Sequence, residues 1–213
     1  MKNTVFFDFD GTIVNCQKFQ IFRLKEIMLN HNVDVSNINF LDLIGPPLVN
    51  TFSKYIKDAT PQEVLEEYNK TFDPQKINGI FLFDGIEELL INLKQIGYNI
   101  VIVSLQFRDI IMAQLKYLGI DNLISAVYCD SPETAYKSKS EIVQKLLLNK
   151  TFNKEEVLLV GDTVNDVLAG RENDVDTVGV NWGYGNIKPE EVTYLVDDTM
   201  QLFSLLNRLK SGA

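Results

Sequence analysis

Short apolar runs separated by amphipathic stretches constrain most what this chain can fold into. Thr4 to Phe7, Asn99 to Val103, Ala126 to Cys129, Val157 to Val160, Thr177 to Val180 and a weaker Tyr194 to Val196 are near-continuous, and most are β-branched or aromatic. Such runs suit parallel strands covered on both faces, because a half-exposed strand alternates with polar residues. Between them lie helical patterns. Ile86 to Ile96 carries apolar residues at helical spacing, opens with Asp84-Gly85-Ile86-Glu87 as a capping box and closes at Gly97. Arg108 to Leu118 repeats the arrangement and closes at Gly119, while Glu141 to Leu148 and Val164 to Arg171 supply two more helices. The alternation predicts an α/β fold, a Rossmann-like doubly wound parallel sheet whose ligands sit beyond the carboxyl ends of its strands.

Residues 16–80 break that alternation. Lys18 to Leu29 reads as an amphipathic helix, and Thr60-Pro61-Gln62-Glu63 is a capping box with Pro at the first helical position, leading into Val64 to Phe72. Leu43-Ile44-Gly45-Pro46-Pro47-Leu48 between them is turn-rich. The expected organisation is an α/β core from residues 1–15 and 81–213, with an all-helical domain, residues 16–80, inserted after the first strand.

Composition removes several function classes. A formal net charge of −9 works against nucleic-acid binding, whose affinity comes mostly from basic surface. Cys16 and Cys129 are the only cysteines and form no zinc-ligand spacing, so both read as reduced apolar residues. The N-terminus enters strand-like sequence without a signal-peptide pattern, and no apolar run approaches membrane-spanning length. The expectation is a cytoplasmic protein with no membrane contact. His31, the only histidine, sits in an Asn-His-Asn stretch that reads as an exposed loop, so histidine chemistry is not expected.

The chemistry lies where the runs end. Asp8-Phe9-Asp10-Gly11-Thr12 follows the first run, Ser104 the second, Lys137 and Lys139 come after the third, and Gly161-Asp162-Thr163 with Asp166 follows the fourth. In a parallel sheet these groups face one crevice. Like charges crowded at strand ends repel unless a cation lies among them, and Mg²⁺ takes oxygen ligands while keeping positions for substrate phosphate. Carboxylates, Mg²⁺ and a lysine are the inventory of phosphoryl transfer. Asp8 is the candidate nucleophile, and Asp10 the acid that protonates the leaving oxygen and then the base for water. Asp8 and Asp162 would ligate Mg²⁺ with the main-chain carbonyl of Asp10, while Asp166 would hold metal-bound water. Ser104 and one lysine, Lys139 or Lys137, would hold the phosphoryl oxygens, with backbone donors around Gly11 and Thr12.

These motifs resemble the haloacid dehalogenase superfamily, in particular its phosphoglycolate phosphatase-like branch, over nearly the whole chain. Asp8 to Thr12 matches the first family motif, and Gly161-Asp162-Thr163 with Asp166 matches the fourth. Val178-Gly-Val-Asn-Trp182-Gly183-Tyr-Gly185 is similar to the stretch that follows it. Gly45-Pro46-Pro47-Leu48 is similar to the cap segment facing the active site in these phosphatases, which implies substrate contact from Gly45 and Pro46. Ser104 departs from the pattern, being followed by Leu105 and Gln106 where Asn or Ser is usual. The resemblance implies Mg²⁺-dependent hydrolysis of a small phosphorylated metabolite. Phosphoglycolate is the default, with pyrophosphate, sugar phosphates and nucleoside monophosphates open. A phosphomutase or a non-enzymatic binding domain of the same fold are the alternatives, and the oligomeric expectation is a monomer or homodimer.

Overall fold

The computed structural model describes residues 1–44, 48–130 and 138–212, with Asp130 by its backbone alone. Strands are β1 (Thr4–Phe7), β2 (Val14–Asn15), β3 (Phe81–Leu82), β4 (Asn99–Phe107), β5 (Ala126–Asp130), β6 (Val157–Gly161), β7 (Asp176–Val180) and β8 (Tyr194–Val196). Helices are α1 (Gln17–Asn30), α2 (Leu48–Tyr55), α3 (Pro61–Lys70), α4 (Ile86–Gln95), α5 (Arg108–Leu118), α6 (Lys139–Leu148), α7 (Val164–Glu172) and α8 (Thr199–Ser211). The chain divides into two compact units, Met1–Asn15 with Phe81–Ala213, and Cys16–Ile80. Among the described residues no helix is long and apolar enough to cross a membrane.

The first unit is built on a six-stranded sheet of order β5-β4-β1-β6-β7-β8, parallel at every pairing. The four residues of β1 are all buried, as the near-continuous apolar runs require. Alternate residues face opposite layers. Phe6, Val101, Val103 and Leu159 pack with Ile142, Val143 and Leu146 of α6 and Ala169 of α7. On the other layer α4 and α8 pack together, and the Tyr98 hydroxyl donates to the Leu206 carbonyl at 2.7 Å. The chain leaves β1 by a tight turn into β2, which pairs antiparallel with β3.

Several local expectations change. β4 continues past Val103 to Phe107, because after a bulge Phe107 is in register with Asp130 of β5. Asp84 to Glu87 does not form a capping box. Gly85 is the N-cap in the left-handed region at φ 75°, a conformation that leaves no capping side chain. Helices α2 and α8 lay outside the sequence pattern.

The second unit packs α1 and α2 each against α3, around Leu24, Ile27, Met28, Phe52, Ile56, Val64 and Tyr68. The Thr60–Glu63 capping box forms as read, with the Thr60 N–H on Glu63 Oε2 at 2.8 Å and the Glu63 N–H on Thr60 Oγ1 at 3.3 Å. His31 is no exposed loop residue. It caps α1, with Nδ1 2.8 Å from Asp58 Oδ1 and Nε2 3.1 Å from Glu67 Oε2. Arg23 is buried, donates to the Tyr68 carbonyl and stacks its guanidinium 3.8 Å from the centroid of the Tyr68 ring.

Candidate active site

The sheet order places a crevice before any side chain is considered. The chain lays β4 and β5 on one side of β1 and then returns to lay β6, β7 and β8 on the other. At such a reversal the connections diverge, and a cleft opens beyond the carboxyl ends of the two central strands. Those strands are β1 and β6. Asp8 is the first residue past β1 and Asp162 the first past β6, and the Asp8 N–H continues the ladder onto the Val160 carbonyl at 2.8 Å.

Three carboxylates converge there. Asp8, Asp162 and Asp166 are buried, and each offers an oxygen within 4.8 Å of the others. Lys139, the first residue of α6, is equally buried, and its Nζ lies 2.7 Å from Asp8 Oδ1 and pairs with Asp166 Oδ1. Asp8 Oδ1 also accepts the Phe9 N–H at 2.7 Å. Asp166 uses its other oxygen to cap α7, accepting the Thr163 N–H at 3.0 Å and the Thr163 hydroxyl at 2.9 Å. It is therefore both a helix-start acid and a member of the cluster.

Asp162 is fully enclosed. Its Oδ1 accepts the Thr12 hydroxyl at 3.1 Å, and its Oδ2 accepts the N–H groups of Tyr184 at 2.7 Å and Gly185 at 3.3 Å. A Cβ on Gly11 or Gly183 would overlap the Asp162 carboxylate, and one on Gly185 would overlap its backbone carbonyl. Gly11 is further bound to glycine by its φ of 95°.

The electrostatics follow from burial. Burial lifts the Asp8 carboxyl well above the usual carboxylate range; Lys139 pulls against it, and Asp166 and Asp162 add to the rise. Burial and then Asp166 push Asp162 up to about 6, against the hydrogen bond from Tyr184 and the pull of Lys139. For Lys139 burial opposes the charge, but Asp166 and Asp8 more than offset it and hold the ammonium protonated. One ammonium cannot balance three carboxylates. The donor set is all oxygen, short of positive charge and sized for a single ion, which fits a divalent cation such as Mg²⁺.

The other expected site residues are distributed as follows. Asp10 is half-buried in the turn after β1. Ser104 lies buried near the carboxyl end of β4, its Oγ accepting the Gln106 N–H at 3.0 Å. The Gly11 N–H donates to the Val14 carbonyl at 2.9 Å, and the Thr12 hydroxyl donates to Asp162 Oδ1 at 3.1 Å. Lys137, Gly45 and Pro46 lie outside the described residues. The Trp-Gly-Tyr-Gly run after β7, singled out in the sequence by its likeness to the family stretch, takes part through hydrogen bonds that the sequence does not show: Trp182 Nε1 donates to the Thr12 carbonyl at 3.0 Å, and the Tyr184 and Gly185 N–H groups donate to Asp162.

Comparison with known proteins agrees with this construction. The chain is 29% identical over 212 residues to the pyrophosphatase PpaX of Bacillus mycoides, covering 97% of this chain and 98% of that protein. A predicted phosphatase from Clostridium acetobutylicum has the same fold at TM-score 0.85 and 21% identity, covering 98% and 99% of the two chains. A predicted phosphoglycolate phosphatase from Haemophilus somnus superposes at TM-score 0.80 and 20% identity, covering 96% and 98%. The haloacid dehalogenase-like hydrolase model matches residues 5–180, a span that contains Asp8, Lys139, Asp162 and Asp166. The chain belongs to the haloacid dehalogenase-like hydrolase family.

Proposed function

We propose that this hydrolase is a Mg²⁺-dependent phosphatase acting on a small phosphorylated metabolite through an aspartyl-phosphate on Asp8. The observation that carries the reading is the Asp8 carboxylate, held by Lys139 at 2.7 Å within the buried Asp8–Asp162–Asp166 cluster.

Asp8 and Asp162 would hold Mg²⁺ through their side chains, with the main-chain carbonyl of Asp10 and, through water, Asp166. When bound, the metal supplies positive charge to the phosphoryl oxygens. The chain's own residues do the rest. Lys139 fixes the Asp8 carboxylate and presents an ammonium to the transferring group. The Asp8 oxygen bonds to phosphorus as the bond to the leaving oxygen breaks, and Asp10 gives that oxygen its proton. Asp10, now a carboxylate, takes a proton from water as the water oxygen attacks the phosphorus. The bond to Asp8 breaks, inorganic phosphate leaves and both acids return to their starting states.

Pyrophosphate is the favoured substrate, because a relative that covers 97% of this chain carries the name pyrophosphatase. A phosphoglycolate-type monoester is the second reading, supported by the structural neighbour of that description. The test is phosphate release from pyrophosphate, phosphoglycolate and p-nitrophenyl phosphate, with Mg²⁺ and with chelator, beside Asp8→Asn. Metal-dependent turnover that disappears in Asp8→Asn is expected. A folded protein that leaves every ester and anhydride intact, or an Asp8→Asn variant that keeps its turnover, overturns the reading.

A further inference from the structure

Trp182 is the only tryptophan in the chain and belongs to no carboxylate cluster, yet the hydrogen bonds around Asp162 lead back to it. Its Nε1 donates to the Thr12 carbonyl at 3.0 Å. The hydroxyl of the same threonine donates to Asp162 Oδ1 at 3.1 Å. Asp162 Oδ2 accepts the Tyr184 N–H at 2.7 Å and the Gly185 N–H at 3.3 Å, from the loop that Trp182 begins. These bonds close a ring through two loops, one after β1 and one after β7, with the carboxylate at its centre. Thr12 and Asp162 are both 0% exposed, so their side chains meet each other and not solvent. The Tyr184 hydroxyl adds a longer tie between the same loops, 3.3 Å from Asn15 Oδ1 and 3.4 Å from the Val14 carbonyl.

Phenylalanine keeps an aromatic ring at the position and removes the N–H donor. The N–H is the direct side-chain tie from Trp182 to the Thr12 carbonyl. We propose that Trp182 is a positioning residue for the metal: through Thr12 and the amides of residues 184 and 185 it fixes the Asp162 carboxylate in the orientation that ligates Mg²⁺. The inference rests on the phosphatase reading above for the metal itself. Its content is separate, because it concerns how one ligand is held. Outer partners of a metal ligand set its orientation, and their loss weakens metal affinity or activity by about 10- to 100-fold.

The experiment is calorimetric titration of wild type and Trp182→Phe with Mg²⁺ alone, without substrate, with circular dichroism to verify the fold. Steady-state kinetics are run beside it. Trp182→Phe is expected to bind Mg²⁺ about tenfold more weakly. Its kcat should recover at high Mg²⁺, with the substrate KM at saturating metal unchanged. Wild-type binding with the same affinity in Trp182→Phe overturns the positioning role and leaves the phosphatase reading intact. No Mg²⁺ binding by wild type overturns both. If Trp182→Phe does not fold, wild-type emission decides, since Trp182 is the sole fluorophore of its kind. A change in emission with the calorimetric midpoint supports the role, and unchanged emission while Mg²⁺ binds overturns it.

Discussion

Replacing Asp162 by Asn should make the metal-free protein more stable at neutral pH while it destroys the site. The folded chain holds the Asp162 proton up to about 6, whereas the unfolded chain releases it near the ordinary 3.8. Between those values folding takes up a proton, so stability falls as pH rises through the window, and above it the whole cost of the buried charge is present. A rise of about two units at about 1.36 kcal/mol each amounts to ~3 kcal/mol. An asparagine can keep the frame: its carbonyl oxygen can accept from Tyr184 and Gly185, and its amide can donate to the Thr12 hydroxyl oxygen. For a chain of this length each kcal/mol moves Tm by about 2–4 °C, so a gain of ~6 °C or more over wild type is expected at pH 8 in chelator. The gain should vanish near pH 4, where both versions are neutral at this position. Mg²⁺ should raise the Tm of wild type and leave Asp162→Asn unmoved. Calorimetric scans at pH 4, 6 and 8, with chelator and with Mg²⁺, measure all of this. An Asp162→Asn protein that melts below wild type at pH 8, or by the same margin at every pH, refutes the account of the buried charge.

Four further outcomes follow from the same structure. Lys139→Met removes the ammonium 2.7 Å from Asp8 and leaves three buried carboxylates together, which should cost ~3–5 kcal/mol at pH 8 and less at pH 5, read from urea midpoints, with phosphatase turnover lost at both. Gly183→Ala drives a methyl into the Asp162 carboxylate and should cost ~1–3 kcal/mol and most of the Mg²⁺ affinity. Gly119→Ala, with no atom within 4 Å of the new methyl, should cost only the ~1 kcal/mol of its φ of 72° and leave metal binding alone. In the helical unit, burial opposes the His31 charge, but the hydrogen bonds its ring makes to Asp58 and then to Glu67 prevail and raise its pKa. That stability is complete below the unfolded histidine value and is lost as pH rises through the folded one. His31→Gln should therefore lower the melting temperature at pH 6 and hardly at pH 9.

What was legible in the sequence divides along physical lines. The sheet was readable because β1, β6 and β7 are covered on both faces, and coverage leaves an unbroken apolar run. The end of β4 was not, because Ser104 to Phe107 is half-polar and stays in the sheet only through its pairing with β5, a partner no local pattern names. His31 looked like a loop residue for the same reason: its two acids are 27 and 36 residues away in sequence. Asp8 and Asp162 stood out because carboxylates at strand ends are conspicuous, and a parallel sheet carries all such ends to one edge. The frame around them is made largely of backbone amides at Tyr184 and Gly185 and of the missing Cβ atoms at Gly11, Gly183 and Gly185. A backbone donor has no residue type, and an absent methyl reads in sequence as a turn. Asp8 and Asp166 are held in part by the Lys139 ammonium, whereas Asp162 is held by neutral N–H and O–H donors at close range, and close range to a backbone is what glycine permits. The Trp-Gly-Tyr-Gly run is thus as much a part of the site as the aspartates. Trp182→Phe and Gly183→Ala probe its two halves, the donor that ties the loop and the space that lets it approach.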